Sequence, residues 1–176
     1  SSSHYCLADP ITGGKQVVCE AWRNLISVGS KPIAITNCLN FGSPEKYEIM
    51  GQFVETIDGI SQACKYLDFP VVSGNVSFYN ETQSKAIPPT PTIGGVGLIK
   101  NLDYMMTINL KEIGSYILVV GKTLGHLWQS EFFREVLEIK DGPPPEINLF
   151  NEKNNGILIQ TLISKKLVNS VHDISA

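Results

Sequence analysis

Two short polar segments carry most of the residues able to do chemistry. In Ser73-Gly74-Asn75-Val76-Ser77, followed by Asn80 and Glu81, glycine permits close backbone approach. The serine hydroxyls, the Asn carbonyl and the carboxylate are hard oxygen ligands suited to Mg2+ and phosphate. Residue types alone leave an ordinary polar hairpin loop equally open. The second segment runs from Asn37-Cys38-Leu39-Asn40-Phe41-Gly42 to Ser43-Pro44-Glu45-Lys46. Both segments leave the carboxyl end of an expected strand, where ligands gather in open α/β sheets. Glu45 and Lys46 suit nucleotide or metal contacts, against the plainer reading of a solvated first helical turn. His172-Asp173 is a third candidate for a substrate or metal contact, although a lone His-Asp pair is more often structural. Cys38 lacks a base beside it in sequence, which argues against a thiol nucleophile. Gly121-Lys122-Thr123 has the end of a phosphate-binding loop, but Tyr116 stands where its first glycine must be, so a Walker A site is rejected.

Positioning these groups falls to a small set of elements. Val18, Ala21, Trp22, Leu25 and Ile26 share one helical face over residues 15–28, with Thr12 as a candidate N-cap and Gly29 as the stop. Ile33-Ala34-Ile35-Thr36 reads as a buried strand and residues 37–46 as a polar loop. Apolar residues recur at three- and four-residue steps from Ile49 to Leu67, which predicts a helix over residues 48–67. Val71-Val72 resumes as a strand that Gly74 breaks at a sharp polar turn. Pro88, Pro89 and Pro91 require an extended edge segment, and residues 93–99 read as a glycine-rich strand. Residues 100–113 read as a linker. Beyond them the pattern predicts strands over 116–121 and 167–171, helices over 130–137 and 152–165, and a proline loop at 143–145. A second domain therefore starts near residue 112, and the mixture of elements is that of an α+β chain of α/β layers.

Composition narrows the function classes. The chain has 176 residues, 43% hydrophobic and 18% charged, with a net charge of −3, enough for one sizeable core or two small ones. No basic run exceeds Lys165-Lys166, so neither nucleic acid nor an anionic membrane is an expected partner. Cys6, Cys19, Cys38 and Cys64 have neither zinc-site nor disulfide-framework spacing, which points to a reducing cytoplasm. There is no apolar run of roughly 18 residues and no signal-peptide pattern, so a soluble, unsecreted protein is expected. The start at Ser1 and the stop in mid-pattern at Val171-His172-Asp173-Ile174-Ser175-Ala176 read as the cut ends of an internal fragment.

A more specific signal lies in the order of the motifs. Thr36-x-Cys38-Leu39-Asn40-Phe41-Gly42-x-Pro44-Glu45-Lys46, then Gly74-Asn75-Val76-Ser77-x-Tyr79-Asn80-Glu81, then Ile87-Pro88-Pro89-Thr90-Pro91 resemble the phosphoribosylformylglycinamidine synthase family. Leu7-x-Asp9-Pro10, Ala21-x-Arg23-Asn24-Leu25, Ser130-Glu131 and His172-Asp173-x-Ser175 extend the likeness over nearly the whole chain. That family is similar in fold to aminoimidazole ribonucleotide synthetase. The resemblance implies the end of a second amino-terminal synthetase-like unit, residues 1–101, joined to the start of a carboxyl-terminal-like unit, residues 112–176.

The resemblance also implies roles. Asn37 and Gly74 would contact ATP, Asn75 would ligate Mg2+ and Ser77 would touch the ribonucleotide; no catalytic residue is expected in these residues. The family has Asp where this chain has Asn37, and an amide still donates and accepts hydrogen bonds. The implied reaction is ATP-driven conversion of formylglycinamide ribonucleotide to the amidine. Phosphorylation of the amide oxygen makes a leaving group, which ammonia from glutamine displaces. Implied partners are a separate glutaminase, small accessory subunits and units pairing through strands. The family's Glu-x-His-Asn-type motif and a glutaminase Cys-His-Glu unit are absent from the sequence, so the chain alone is expected to be inactive. The alternatives are a structural half carrying a nucleotide pseudo-site, or a related synthetase acting on aminoimidazole ribonucleotide or selenophosphate.

Overall fold

The computed structural model describes residues 3–174. A short helix α1 (Ser3–Ala8) leads into α2 (Pro10–Ser27). The start of α2 is fixed by Asp9, whose carboxylate accepts from the Thr12 backbone N–H at 3.0 Å and from the Thr12 hydroxyl at 2.8 Å. Pro10, with its preset φ, occupies the first helical position. The cap is thus Asp9 rather than Thr12, and the helix begins earlier than residue 15. Gly29 ends it with φ of 80°, as its position predicts.

Strand β1 (Lys31–Asn40), helix α3 (Tyr47–Leu67) and strand β2 (Val71–Ser77) follow, and β1 and β2 pair in parallel. This is one β-α-β unit. A small hairpin of β3 (Glu81–Thr82) and β4 (Lys85–Ala86) turns through Gln83 and Ser84, both at positive φ. Strand β5 (Thr90–Leu98) then pairs antiparallel with the other side of β1, giving the order β2-β1-β5. Pro91 sits within this edge strand, where a missing donor is tolerated.

The expected loop over residues 37–46 is half strand, because β1 is paired on both sides through Asn40. The expected break at Gly74 is likewise absent: Val71–Ser77 is one continuous strand. Polar residues here mark an uncovered sheet face rather than a turn.

Helices α2 and α3 cover the other face. Val18, Cys19, Trp22 and Ile26 of α2, Ile35 and Leu39 of β1, and Ile60, Ala63, Cys64 and Leu67 of α3 form one buried cluster with Phe41 and Phe69. The two helices approach at Gly14 and Gly59. A Cβ at Gly14 would stand 2.4 Å from the Thr56 carbonyl, and one at Gly59 would stand 2.1 Å from that of Ile11. Only glycine permits this crossing.

Helix α4 (Leu149–Ser164) docks on the outside of α2. Gly156 receives the Trp22 ring, and Arg23 pairs with Glu152 at 2.9 Å. Between Met105 and Trp128 there is no helix or strand. The strand expected over 116–121 does not form: Tyr116, Ile117, Leu118 and Val119 are exposed, and no strand among the described residues pairs with them. A lone β-prone run cannot satisfy its ladder bonds. The strand expected over 167–171 is absent for the same reason. Val171 N–H and the Ser170 hydroxyl instead donate to the Thr107 carbonyl. Residues 130–137 form a short π-helical turn at Phe132–Val136.

Candidate functional site

Cross-strand register lays out the site. Thr36 stands opposite Ser73 on one side and Gly94 on the other; Cys38 opposite Asn75 and Thr92; Asn40 opposite Ser77 and Thr90. Directly opposed residues share a face of the sheet, so these nine form a three-by-three field of small, mostly polar side chains. The 2.9 Å hydrogen bond from the Ser73 hydroxyl to that of Thr36 confirms the sharing. The field lies on the face away from the buried Ile35 and Leu39, and Ser73, Thr36, Asn75 and Thr92 are exposed there.

Asn75 and Ser77 therefore stand two residues apart on one strand and one face. Asn37 and Gly74 do not join them. They oppose each other in the alternate row, and a Cβ on Gly74 would stand 1.9 Å from Asn37 Oδ1 and 2.6 Å from the Asn37 carbonyl. Gly74 is glycine because the Asn37 amide fills the space above it. Sequence reasoning gave that space to an approaching ligand; the pairing of strands, which the sequence does not display, gives it to Asn37. Among the described residues β2 has a strand on one side only, so its outer backbone edge is open.

The strand ends are tied into a rim. Phe41 N–H donates to the Ser77 carbonyl at 3.0 Å, Asn80 N–H to the Phe41 carbonyl at 3.1 Å and Tyr79 N–H to the Gly42 carbonyl at 3.1 Å. Lys46 Nζ reaches Glu81 Oε1 at 2.6 Å, and Ser43 N–H donates to the same oxygen at 3.3 Å. The hydrogen bond from Lys46 holds the Glu81 carboxyl below its ordinary range. The Tyr79 hydroxyl donates to Glu45 Oε1 at 3.2 Å, and that carboxylate's charge raises the phenol's pKa. Glu45 and Lys46 thus close the rim rather than cap the following helix, since α3 has no side-chain cap at Lys46. Beneath the rim, Phe53 stacks edge-on with Phe41 and Phe78 at 5.2 and 5.0 Å.

Other candidates fall elsewhere. His172 Nδ1 lies 3.4 Å from Asp173 Oδ1. With its amide nitrogen turned toward Asp173, Asn24 of α2 donates to both carboxylate oxygens. The pair is a link to α2. Gly121 lies in coil at φ of 116°. All four cysteines are free. Burial pushes the thiols of Cys6 and Cys19 up to about 12 and that of Cys64 to about 11, so these three are inert core residues. Cys38 is half-exposed at the centre of the polar field. Among the described residues no three His, Cys, Asp or Glu gather as a metal cluster. What the field offers a cation is neutral oxygen, from Asn75 and the neighbouring hydroxyls. Among the described residues no helix is long and apolar enough to cross a membrane.

The fold is that of an AIR synthase-like amino-terminal unit, and the chain belongs to the family described as AIR synthase related protein, N-terminal domain, through residues 1–99. Within that class its likeness is to phosphoribosylformylglycinamidine synthase subunit PurL. It is 65% identical to the protein of that name from Pelagibacter ubique over 175 residues, 99% of this chain and 24% of that protein. Identity to the Azorhizobium caulinodans PurL is 56%, over 97% of this chain and 23% of that protein. The chain thus spans about a quarter of the curated relatives it matches. Among solved structures, Thermotoga maritima PurL complexed with FGAR superposes with a TM-score of 0.59 at 25% identity, over 93% of this chain and 22% of that one. The same protein complexed with ATP gives 0.54 at 36% identity, over 60% of this chain and 18% of that one.

Proposed function

We propose that this chain supplies one wall of the active site of a phosphoribosylformylglycinamidine synthase, which converts formylglycinamide ribonucleotide to the amidine with ATP and glutamine-derived ammonia. The single observation that carries the reading is the polar field at the carboxyl ends of β1 and β2, where Asn75 and Ser77 share one open face. The likeness to PurL proteins, including structures complexed with FGAR and with ATP, supports the choice of ligands.

In this reading Ser77 contacts the ribonucleotide. Gly74 contacts ATP through its backbone at the open edge of β2, and Asn37 does so through its amide. Asn75 gives one oxygen to Mg2+. That fits an ion which keeps several waters and takes most of its charge neutralisation from substrate phosphates. When bound, Mg2+ supplies charge stabilisation for phosphoryl transfer. The chain's own residues hold and orient; the groups that move protons and capture ammonia are expected outside residues 1–176. Residues 1–101 then form the ATP-binding synthetase unit, a boundary the family match over residues 1–99 supports, and residues 112–176 begin a carboxyl-terminal-like unit. The implied setting is cytoplasmic, with a glutaminase, small accessory subunits and strand-mediated pairing of units as partners.

A chimera tests the reading: this chain replaces the corresponding 175 residues of the Pelagibacter ubique protein. ATP-dependent formation of the amidine is expected at a rate within about tenfold of the parent. A folded chimera that binds neither ATP nor the ribonucleotide contradicts it.

A further inference from the structure

The hydrogen bonds around Asn80 point beyond the four residues assigned above. Asn80 follows β2 by three residues, and its side-chain nitrogen lies 3.0 Å from the Phe41 carbonyl, 2.9 Å from the Ser77 carbonyl and 3.1 Å from Ser77 Oγ. Carbonyl oxygens only accept, so the two carbonyls fix which end of the amide is nitrogen. That orientation turns an N–H toward Ser77 Oγ, with its two hydrogens serving three acceptors and one of them shared. The Ser77 hydroxyl also donates to Asn80 Oδ1, at 3.4 Å, a longer contact than the 3.1 Å one in which Oγ accepts. The backbone closes the same knot, because Asn80 N–H donates to the Phe41 carbonyl and the Asn80 carbonyl accepts from Ile87 N–H at 3.0 Å. The amide cannot rotate without losing two carbonyl partners.

The consequence falls on the hydroxyl. A serine Oγ has one proton to give and two lone pairs. With Asn80 filling one lone pair, the proton's single protein acceptor is Asn80 Oδ1 at 3.4 Å, near the limit of a hydrogen bond, so a ligand oxygen at an ordinary distance in the polar field takes it instead. We propose that Asn80 is a positioning residue: it holds Ser77 Oγ as an acceptor from the protein, so that the hydroxyl donates to an oxygen acceptor on the ligand, a phosphate, carbonyl or ribose oxygen. The inference rests on Ser77 being a substrate contact and adds the direction of the hydrogen bond and the group that sets it. Glu81 next along the chain does not compete, since its carboxylate is engaged by Lys46 and Ser43.

The test is a cycle of Ser77→Ala, Asn80→Ala and the double variant in the active chimera, reading KM for the ribonucleotide and for ATP separately. Ser77→Ala is expected to raise KM for the ribonucleotide about tenfold, the scale of one lost hydrogen bond to a polar ligand. Asn80→Ala raises the same KM several-fold, with KM for ATP changed less than twofold, and adds nothing in the Ser77→Ala background. Asn80→Asp keeps the shape but draws the serine proton to a carboxylate, so it matches the Ala variant rather than rescuing it; it serves where Asn80→Ala does not fold. Additive effects of the two changes, or equal losses in both KM values, overturn the positioning role while leaving Ser77 as a substrate contact. An unchanged KM in Ser77→Ala overturns both.

Discussion

The two faces of the β2-β1-β5 sheet are built from the same strands and do opposite work. One face presents Ile35 and Leu39, which are fully buried under α2 and α3; the other presents Thr36, Cys38, Asn40, Ser73, Asn75 and Ser77 in register. Moving one residue along β1 crosses from core to site. The comparison teaches that stability and binding are separable here by residue parity, even between neighbours such as Leu39 and Asn40. A substitution on one face should be silent in the property that belongs to the other.

The largest expected effect is on the buried face. Leu39→Ala leaves a cavity among Phe41, Ile35 and the helices, and should cost about 2–5 kcal/mol of unfolding free energy, read by urea titration. Asn75→Ala, in the next row and exposed, should fall within about 0.5 kcal/mol of the parent. Comparable losses from both would break the division.

Gly74 sharpens it, because this residue sits in the alternate row, exposed at the β2 edge of the sheet, and was expected to serve a ligand. Gly74→Ala should destabilise by about 1–3 kcal/mol, since the new Cβ meets Asn37 Oδ1 and the Asn37 carbonyl. Adding Asn37→Ala should recover part of the loss, the carbonyl contact remaining. Full stability in Gly74→Ala, by the same titration, would return the space above Gly74 to a ligand.

A smaller effect is expected at the rim, and its pH dependence has a definite sign. The folded-state pKa of Glu81 is depressed, chiefly by the hydrogen bond from Lys46. Its contribution is therefore present above the ordinary carboxylate range and lost as pH falls through the depressed value. Hydrogen exchange at the Ser43 amide, which donates to Glu81, should stay slow until acid pH in the parent and quicken at higher pH in Lys46→Met. Identical profiles would show that the pair does not tie the rim.

Much of the fold was legible in the sequence where local periodicity decides the outcome. The three- and four-residue steps from Ile49 to Leu67 matched α3 almost to its ends, and Gly29 stopped α2 as its type predicts. Asp9-Pro10 also carried a readable signal, a capping side chain followed by proline at the first helical position, although the more distant Thr12 drew the cap. The misses lie where partners decide. Residues 37–40 look like a loop because their polarity is that of an uncovered sheet face, and residues 116–121 look like a strand although no described strand meets them. Of the site, the motif order pointed to Asn75 and Ser77. The split of Asn37 and Gly74 onto the other face needed the register, and the grip of Asn80 on Ser77 needed the turn that brings Phe41 beside both.

The central claim is that ligands lie across the polar field, and Cys38 at its centre reports on it directly. In the folded protein at neutral pH, Cys38 alone among the four thiols should react with a small alkylating reagent, because burial raises the pKa of Cys6, Cys19 and Cys64 to about 11–12. In the active chimera, with Cys38 followed by peptide mass analysis, saturating Mg-ATP and formylglycinamide ribonucleotide should slow its alkylation at least fivefold. An alkylation rate unchanged by saturating ligands, in protein that turns over, would place the binding surface elsewhere.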